Sequence, residues 1–80
     1  MYIVYILKSQ KDPSRHYVGI TQNLDLRLRD HNNRKSIYTN KYAPWIIETF
    51  INFRDQKLAE KFEKYLKSGS GHTFLKRHLI

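Results

Sequence analysis

His16-Tyr17-Val18-Gly19-Ile20 decides how this chain folds. The run is short and apolar and reads as a strand. Glycine is depleted in strands because it has no side chain to pack. At position 19 it signals that something approaches the backbone closely. Tyr17 beside a bare Gly19 makes a shelf with a hydroxyl at one end.

Upstream, Tyr2 to Leu7 is continuously apolar and rich in β-branched and aromatic residues. Both of its faces are apolar, which predicts a central strand covered on both sides. Tyr5 shares a face with Ile3 and Leu7. Ser9 to Arg15 holds Gln10, Lys11, Asp12, Pro13 and Ser14, which is turn chemistry. It predicts an antiparallel hairpin that sets Tyr5 and Tyr17 on one face. The plainer reading of Tyr5 alone is a packed core residue with its hydroxyl satisfied nearby.

Downstream, Thr21 to Asn23 breaks the strand, and Asn23 is a good N-cap for a helix over Leu24 to Asn32. Leu24, Leu28 and His31 form one stripe, and Arg27 stands at its edge. Arg27 and His31 are therefore expected to point toward the sheet. The alternatives are a snorkelling arginine and a half-buried histidine bonded to backbone, and spacing does not choose between them. Asn33 to Pro44 interleaves Lys35, Lys41, Tyr38 and Tyr42, with a short helix expected from Ser36 to Thr39. Basic and aromatic residues mixed in this way suit phosphate contact with base or sugar packing. For any single residue there, an ordinary connecting loop is the plainer reading.

Trp45 to Phe53 reads as a third strand, with Ile47, Thr49, Ile51 and Phe53 on one face. Asp55 caps a helix from Gln56 to Lys67 with an apolar stripe of Leu58, Ala59, Phe62, Tyr65 and Leu66. Glu63 falls on the flank of that stripe, where it reaches a cleft at the helix–sheet boundary. Glu60 lies nearly opposite, solvated and spaced to pair with Lys64. Ser68-Gly69-Ser70-Gly71 reads as a flexible break. Thr73 to Ile80 predicts a last short helix, with Phe74, Leu75, His78 and Leu79 available to the core.

These elements make one α+β domain over residues 1–80: a small three-stranded antiparallel sheet flanked by helices. A chain of this length buries only about 60% of its unfolded surface, so its core is thin. It has no cysteine, hence no disulfide framework and no thiolate metal site. Its apolar N-terminus is too short for a signal peptide or a membrane span. The expectation is a soluble, cytoplasmic protein. Lys and Arg number 15 against 7 Asp and Glu, a net charge of +8. That imbalance favours a polyanionic partner, nucleic acid, over a membrane, because no helix joins a basic face to a strongly apolar one. The four histidines show no zinc-like spacing, and Gly69 and Gly71 lack the rest of a phosphate-binding loop.

Taken in order, these residues resemble the GIY-YIG nuclease domain in its smallest stand-alone form. Ile3-Val4-Tyr5 stands for the first motif and Tyr17-Val18-Gly19 for the second. Arg27 matches the arginine that follows, His31 a histidine found in part of the family, and Glu63, after Ala59, the metal-binding glutamate. Either tripeptide alone is a weak signal; the ordered set, running over nearly all the chain, is specific. The resemblance implies metal-dependent endonuclease cleavage of phosphodiester bonds in DNA. It assigns catalysis to Tyr5, Tyr17, Arg27, His31 and Glu63. Glu63 would be the sole protein ligand of one Mg²⁺ or Mn²⁺ ion. Arg27 would clamp the phosphate bidentately. One tyrosine would position or activate the attacking water with help from His31, and the choice between them stays open. Gly19, Lys35, Lys41 and Tyr42 are the expected substrate contacts, Gly19 by leaving room for a nucleic-acid backbone or for the Arg27 side chain.

Two positions depart from the family pattern. Ile3 stands where the family name has glycine, and Leu75 stands where several members carry an asparagine. Larger relatives attach further DNA-binding or zinc modules. Without them, affinity is expected from the basic surface, from a homodimer or from a partner protein, and it should be weak and salt-sensitive. Branched or nicked DNA is the expected target, as in repair or recombination, with RNA as a second polyanion. The competing readings are a non-catalytic DNA- or RNA-binding module that retains the scaffold, and a structural domain whose charge serves solubility.

Overall fold

The computed structural model describes residues 1–33 and 37–80. Its elements are β1 (Tyr2–Ser9), β2 (His16–Thr21), α1 (Leu24–Asn32), α2 (Ile37–Asn40), β3 (Trp45–Phe53), α3 (Gln56–Leu66) and α4 (Gly69–His78). The strands form one antiparallel sheet in the order β2-β1-β3, so the fully apolar strand is the central one, as expected. The β1–β2 turn is held by Ser9 N donating to Arg15 O at 3.0 Å and by Asp12, whose carboxylate accepts from Ser14 N and Oγ.

Each face of the sheet carries its own core. Val4, Ile6 and Val18 pack with Ala59, Leu66 and Leu75 beneath α3 and α4. Tyr5, Leu7 and Trp45 pack on the other side with Leu24, Leu28 and Tyr17 beneath α1. Asn23 and Asp55 cap α1 and α3 as read, accepting from Leu26 N and Lys57 N at 3.1 Å each. Leu58 and Tyr65, expected on the buried stripe of α3, are instead half exposed.

The structure corrects two further expectations about the elements. In β3 the register slips between Ile6 and Leu7, whose partners are Thr49 and Ile47. Glu48 is the extra residue of a bulge, which bends the strand and leaves one residue unpaired. Ile47 therefore joins Trp45 on the α1 side, while Ile51 and Phe53 serve the α3–α4 side. Four residues predicted on one face divide between two. Second, Ser68-Gly69-Ser70-Gly71 is no flexible break: Ser68 is the N-cap of α4 and its hydroxyl accepts from Gly71 N. A Cβ on Gly71 would sit 1.5 Å from Tyr65 O. The glycine is there because α4 starts hard against the end of α3. Among the described residues no helix is long and apolar enough to cross a membrane.

Candidate active site

The shelf at Gly19 is occupied from within the protein. Tyr5 and Gly19 are cross-strand partners. A Cβ on Gly19 would lie 2.4 Å from the Tyr5 hydroxyl oxygen and 2.5 Å from Cζ. The space expected to admit a nucleic-acid backbone or the Arg27 side chain is thus filled by the Tyr5 phenol. That ring passes over Gly19, and its Oη meets His31 Nε2 at 2.9 Å. His31 Nδ1 meets Thr39 Oγ1 at 2.8 Å, and the Thr39 carbonyl accepts from the Trp45 indole at 2.8 Å. Asn32 fixes this end of β3 by bonding both the N–H and the carbonyl of Trp45. Tyr5, His31, Thr39 and Trp45 are all at most 2% exposed, so this chain of bonds lies inside the core, with its Tyr5 end beside the half-exposed Arg27.

The remaining site residues surround that buried line. Tyr17 lies on the same face, its ring centroid 6.2 Å from Tyr5 and 4.8 Å from His31. Arg27, half exposed on α1, pairs with Asp30 at 3.8 Å and lies close enough to Tyr5 to favour its phenolate. Glu63 comes from α3, which packs across β1 and β2, and its charge is felt at Tyr5. Its carboxylate is bound by Lys67 at 2.5 Å, one helical turn on. The same Lys67 ammonium stands 6.0 Å from the Tyr17 ring centroid. The structure therefore gathers Tyr5, Tyr17, Arg27 and His31, and links Glu63 to Tyr17 through Lys67. Tyr42 stands farther out under the Arg15 guanidinium, with Lys41 near its ring. Lys35 lies outside the described residues.

Sequence reasoning missed Thr39 and Lys67. Nothing in the spacing marks Thr39, which reaches His31 only after the chain has turned back. Lys67 was legible: it follows Glu63 at i+4, the spacing of a helical ion pair.

Burial sets the protonation states. The Tyr5 pKa is raised, chiefly by desolvation, against the pull of Arg27, so Tyr5 is a neutral phenol at neutral pH. The His31 pKa is lowered, first by burial and then by the Arg27 charge, and His16 is lowered by burial too. The sign of the consequence is definite. The unfolded chain takes up these protons before the folded one does. Their share of the stability is complete above the ordinary histidine value of 6.5 and is lost as pH falls through the depressed values. Melting temperature should fall as pH drops from about 7.5 to about 5, and His31→Gln should flatten that slope. An unchanged slope in His31→Gln would show that His31 does not titrate with folding.

Among the described residues, no group of three or more His, Asp or Glu side chains gathers where it could hold a metal ion. The donor set is one carboxylate, Glu63, only 14% exposed and already bound to one cation. That set fits a single, largely hydrated ion such as Mg²⁺, which is commonly held by one or two carboxylates and keeps several waters.

Comparison with known proteins gives a family. The GIY-YIG catalytic domain matches residues 1–76. The chain is 35% identical over 85 aligned positions to the Structure-specific endonuclease subunit SLX1 of Debaryomyces hansenii. The match takes in 98% of this chain but 23% of that protein, so the chain spans about a quarter of the length of this curated relative. No solved structure matches the chain significantly. With the two tyrosines, the arginine and the glutamate on the elements described above, the chain belongs to the GIY-YIG family of nucleases.

Proposed function

We propose that residues 1–80 act as one endonuclease domain that hydrolyses phosphodiester bonds in DNA, with one divalent ion, Mg²⁺ or Mn²⁺, held by Glu63. Nucleases of this family generally use divalent metal ions. The observation that carries the reading is the buried bond from Tyr5 Oη to His31 Nε2, beside the Arg27 charge. Tyr5 is too weakly acidic to stand ready as a phenolate. It has no need to. With His31 Nδ1–H donating to Thr39 Oγ1, the Nε2 lone pair faces the Tyr5 hydroxyl. As the attacking water forms its bond to phosphorus, Tyr5 takes the water's proton and passes its own to His31. Arg27 holds the phosphate oxygens as charge grows on them. Tyr17 borders the water's position. Glu63 would hold the divalent ion, which would supply Lewis-acid stabilisation to the leaving oxygen until solvent protonates it.

The relative's name, structure-specific endonuclease subunit, supports branched or nicked DNA as the substrate and a partner protein as company. The net charge of +8 supports a polyanion, and the lack of cysteine supports work in the cytoplasm. The test uses supercoiled plasmid and branched DNA with Mg²⁺, Mn²⁺ or chelator. Cutting is expected to need the ion and to drop about 10²–10³-fold in Glu63→Gln and in Arg27→Ala. Cutting that survives both substitutions would place the site elsewhere. Binding without cutting on every substrate would make the chain a non-catalytic module on a nuclease scaffold.

A further inference from the structure

A groove of about 800 Å³ runs beside the outer edge of β2, the strand with β1 as its one neighbour in the sheet. Arg15 and His16 enter it from the hairpin, and Lys67, His72 and Lys76 from the end of α3 and from α4. No Asp or Glu stands among its described lining residues. Tyr17 and Lys67 also belong to the active site, so the groove opens from that site rather than forming a separate patch. Its charge suits a polyanion.

Tyr38 narrows the choice. It lines the groove yet is 53% exposed, more than packing a ring requires. Its centroid lies 6.0 Å from that of Tyr17 and 6.2 Å from that of Tyr42, and Arg15 stands 4.9 Å over Tyr42. The rings make a ladder leading away from the site, with a cation over its outer rung. Positive charge combined with aromatic faces is the pattern that holds single strands, whose backbone meets the cations while bases stack on the rings. In a duplex each base is already stacked on its neighbours and has no face to offer. We propose, resting on the nuclease reading, that this groove holds an unpaired strand leading to the scissile phosphate. Its phosphates lie on Arg15 and Lys76 and a base lies on Tyr38.

Binding without cutting tests this. Glu63→Gln protein in chelator is titrated against a labelled oligothymidine strand and against the same strand annealed to its complement, over a range of salt. The single strand should bind more tightly. Tyr38→Ala should weaken it about tenfold and leave the duplex unchanged. Arg15→Gln and Lys76→Gln should each lower the salt slope by about 0.7, the share of one phosphate on a single strand. Lys57→Gln, on an exposed residue outside the groove, should alter neither. Equal affinity for strand and duplex, or slopes and affinity untouched by the groove variants, would overturn the proposal. The two readings fail separately. Cutting that persists at full rate in Tyr38→Ala and Lys76→Gln sinks the groove and spares the nuclease. Strand binding that depends on the groove, in a wild type that never cuts, sinks the nuclease and leaves a strand-binding groove.

Discussion

Gly71→Ala is expected to lower the melting temperature by at least about 12 °C, or to abolish the cooperative transition. The added methyl would lie 1.5 Å from Tyr65 O, 2.3 Å from Tyr65 C and 2.9 Å from Leu66 Cα. All three are backbone atoms, so no rotamer change relieves the clash; α4 must move off α3. That separation opens the core where Leu66 meets Leu75, both at most 2% exposed. Forced overpacking costs about 1–3 kcal/mol where side chains absorb it, and a clash with fixed backbone belongs at or beyond the upper end. A chain of this size has only about 4–12 kcal/mol of stability, at ~0.05–0.15 kcal/mol per residue. Each kcal/mol is about 4–8 °C in melting temperature for such a domain. Gly69→Ala is the internal control. A Cβ there meets nothing within 4 Å, so the better helix former should be neutral or stabilising. Circular dichroism melts of both variants decide the matter. Equal melting temperatures would mean that the two helices do not touch at Gly71.

Gly19→Ala should leave a folded protein that cuts DNA about 10²-fold more slowly. The new methyl meets the Tyr5 hydroxyl, Cζ and Cε1 at 2.4, 2.5 and 2.9 Å. Here a side chain yields, but its freedom is small. The Tyr5 ring is buried and tied to His31 at 2.9 Å, so giving way means breaking that bond or tilting the ring. Misplacing a reacting group by about 1 Å costs on the order of 10² in rate. The stability cost should stay near 1–3 kcal/mol, or about 4–24 °C in melting temperature. Tyr5→Phe separates the two effects: it removes the hydroxyl and keeps the ring, so it should lose rate with less loss of stability. A Gly19→Ala protein with wild-type cleavage would mean that the line from Tyr5 to His31 is not the proton path.

The parts of this molecule set by neighbours in sequence were legible from sequence. The hairpin followed from Asp12-Pro13-Ser14 between two apolar runs, and both capped helices began where Asn23 and Asp55 stand. Helical spacing aimed Arg27 and His31 at the sheet, because residues three and four apart share a face. The parts set by distant contact were not. A glycine sparing a backbone carbonyl looks, in composition, like a glycine loosening a linker, so Gly71 was misread. Gly19 announced a close approach without naming its guest, which proved to be Tyr5 rather than a nucleic acid. Thr39 has no pattern of its own; its value comes from the fold that sets it against His31.

The bulge at Glu48 makes β3 a strand written in two reading frames. Upstream of it, odd-numbered positions belong to the layer that supports Tyr5 and His31; downstream, they belong to the layer under α3 and α4. Excising Glu48 would join the two frames into a regular ladder, with Leu7 still opposite Ile47 and Ile6 still opposite Thr49, so both layers would keep their residues and only the local bend would go.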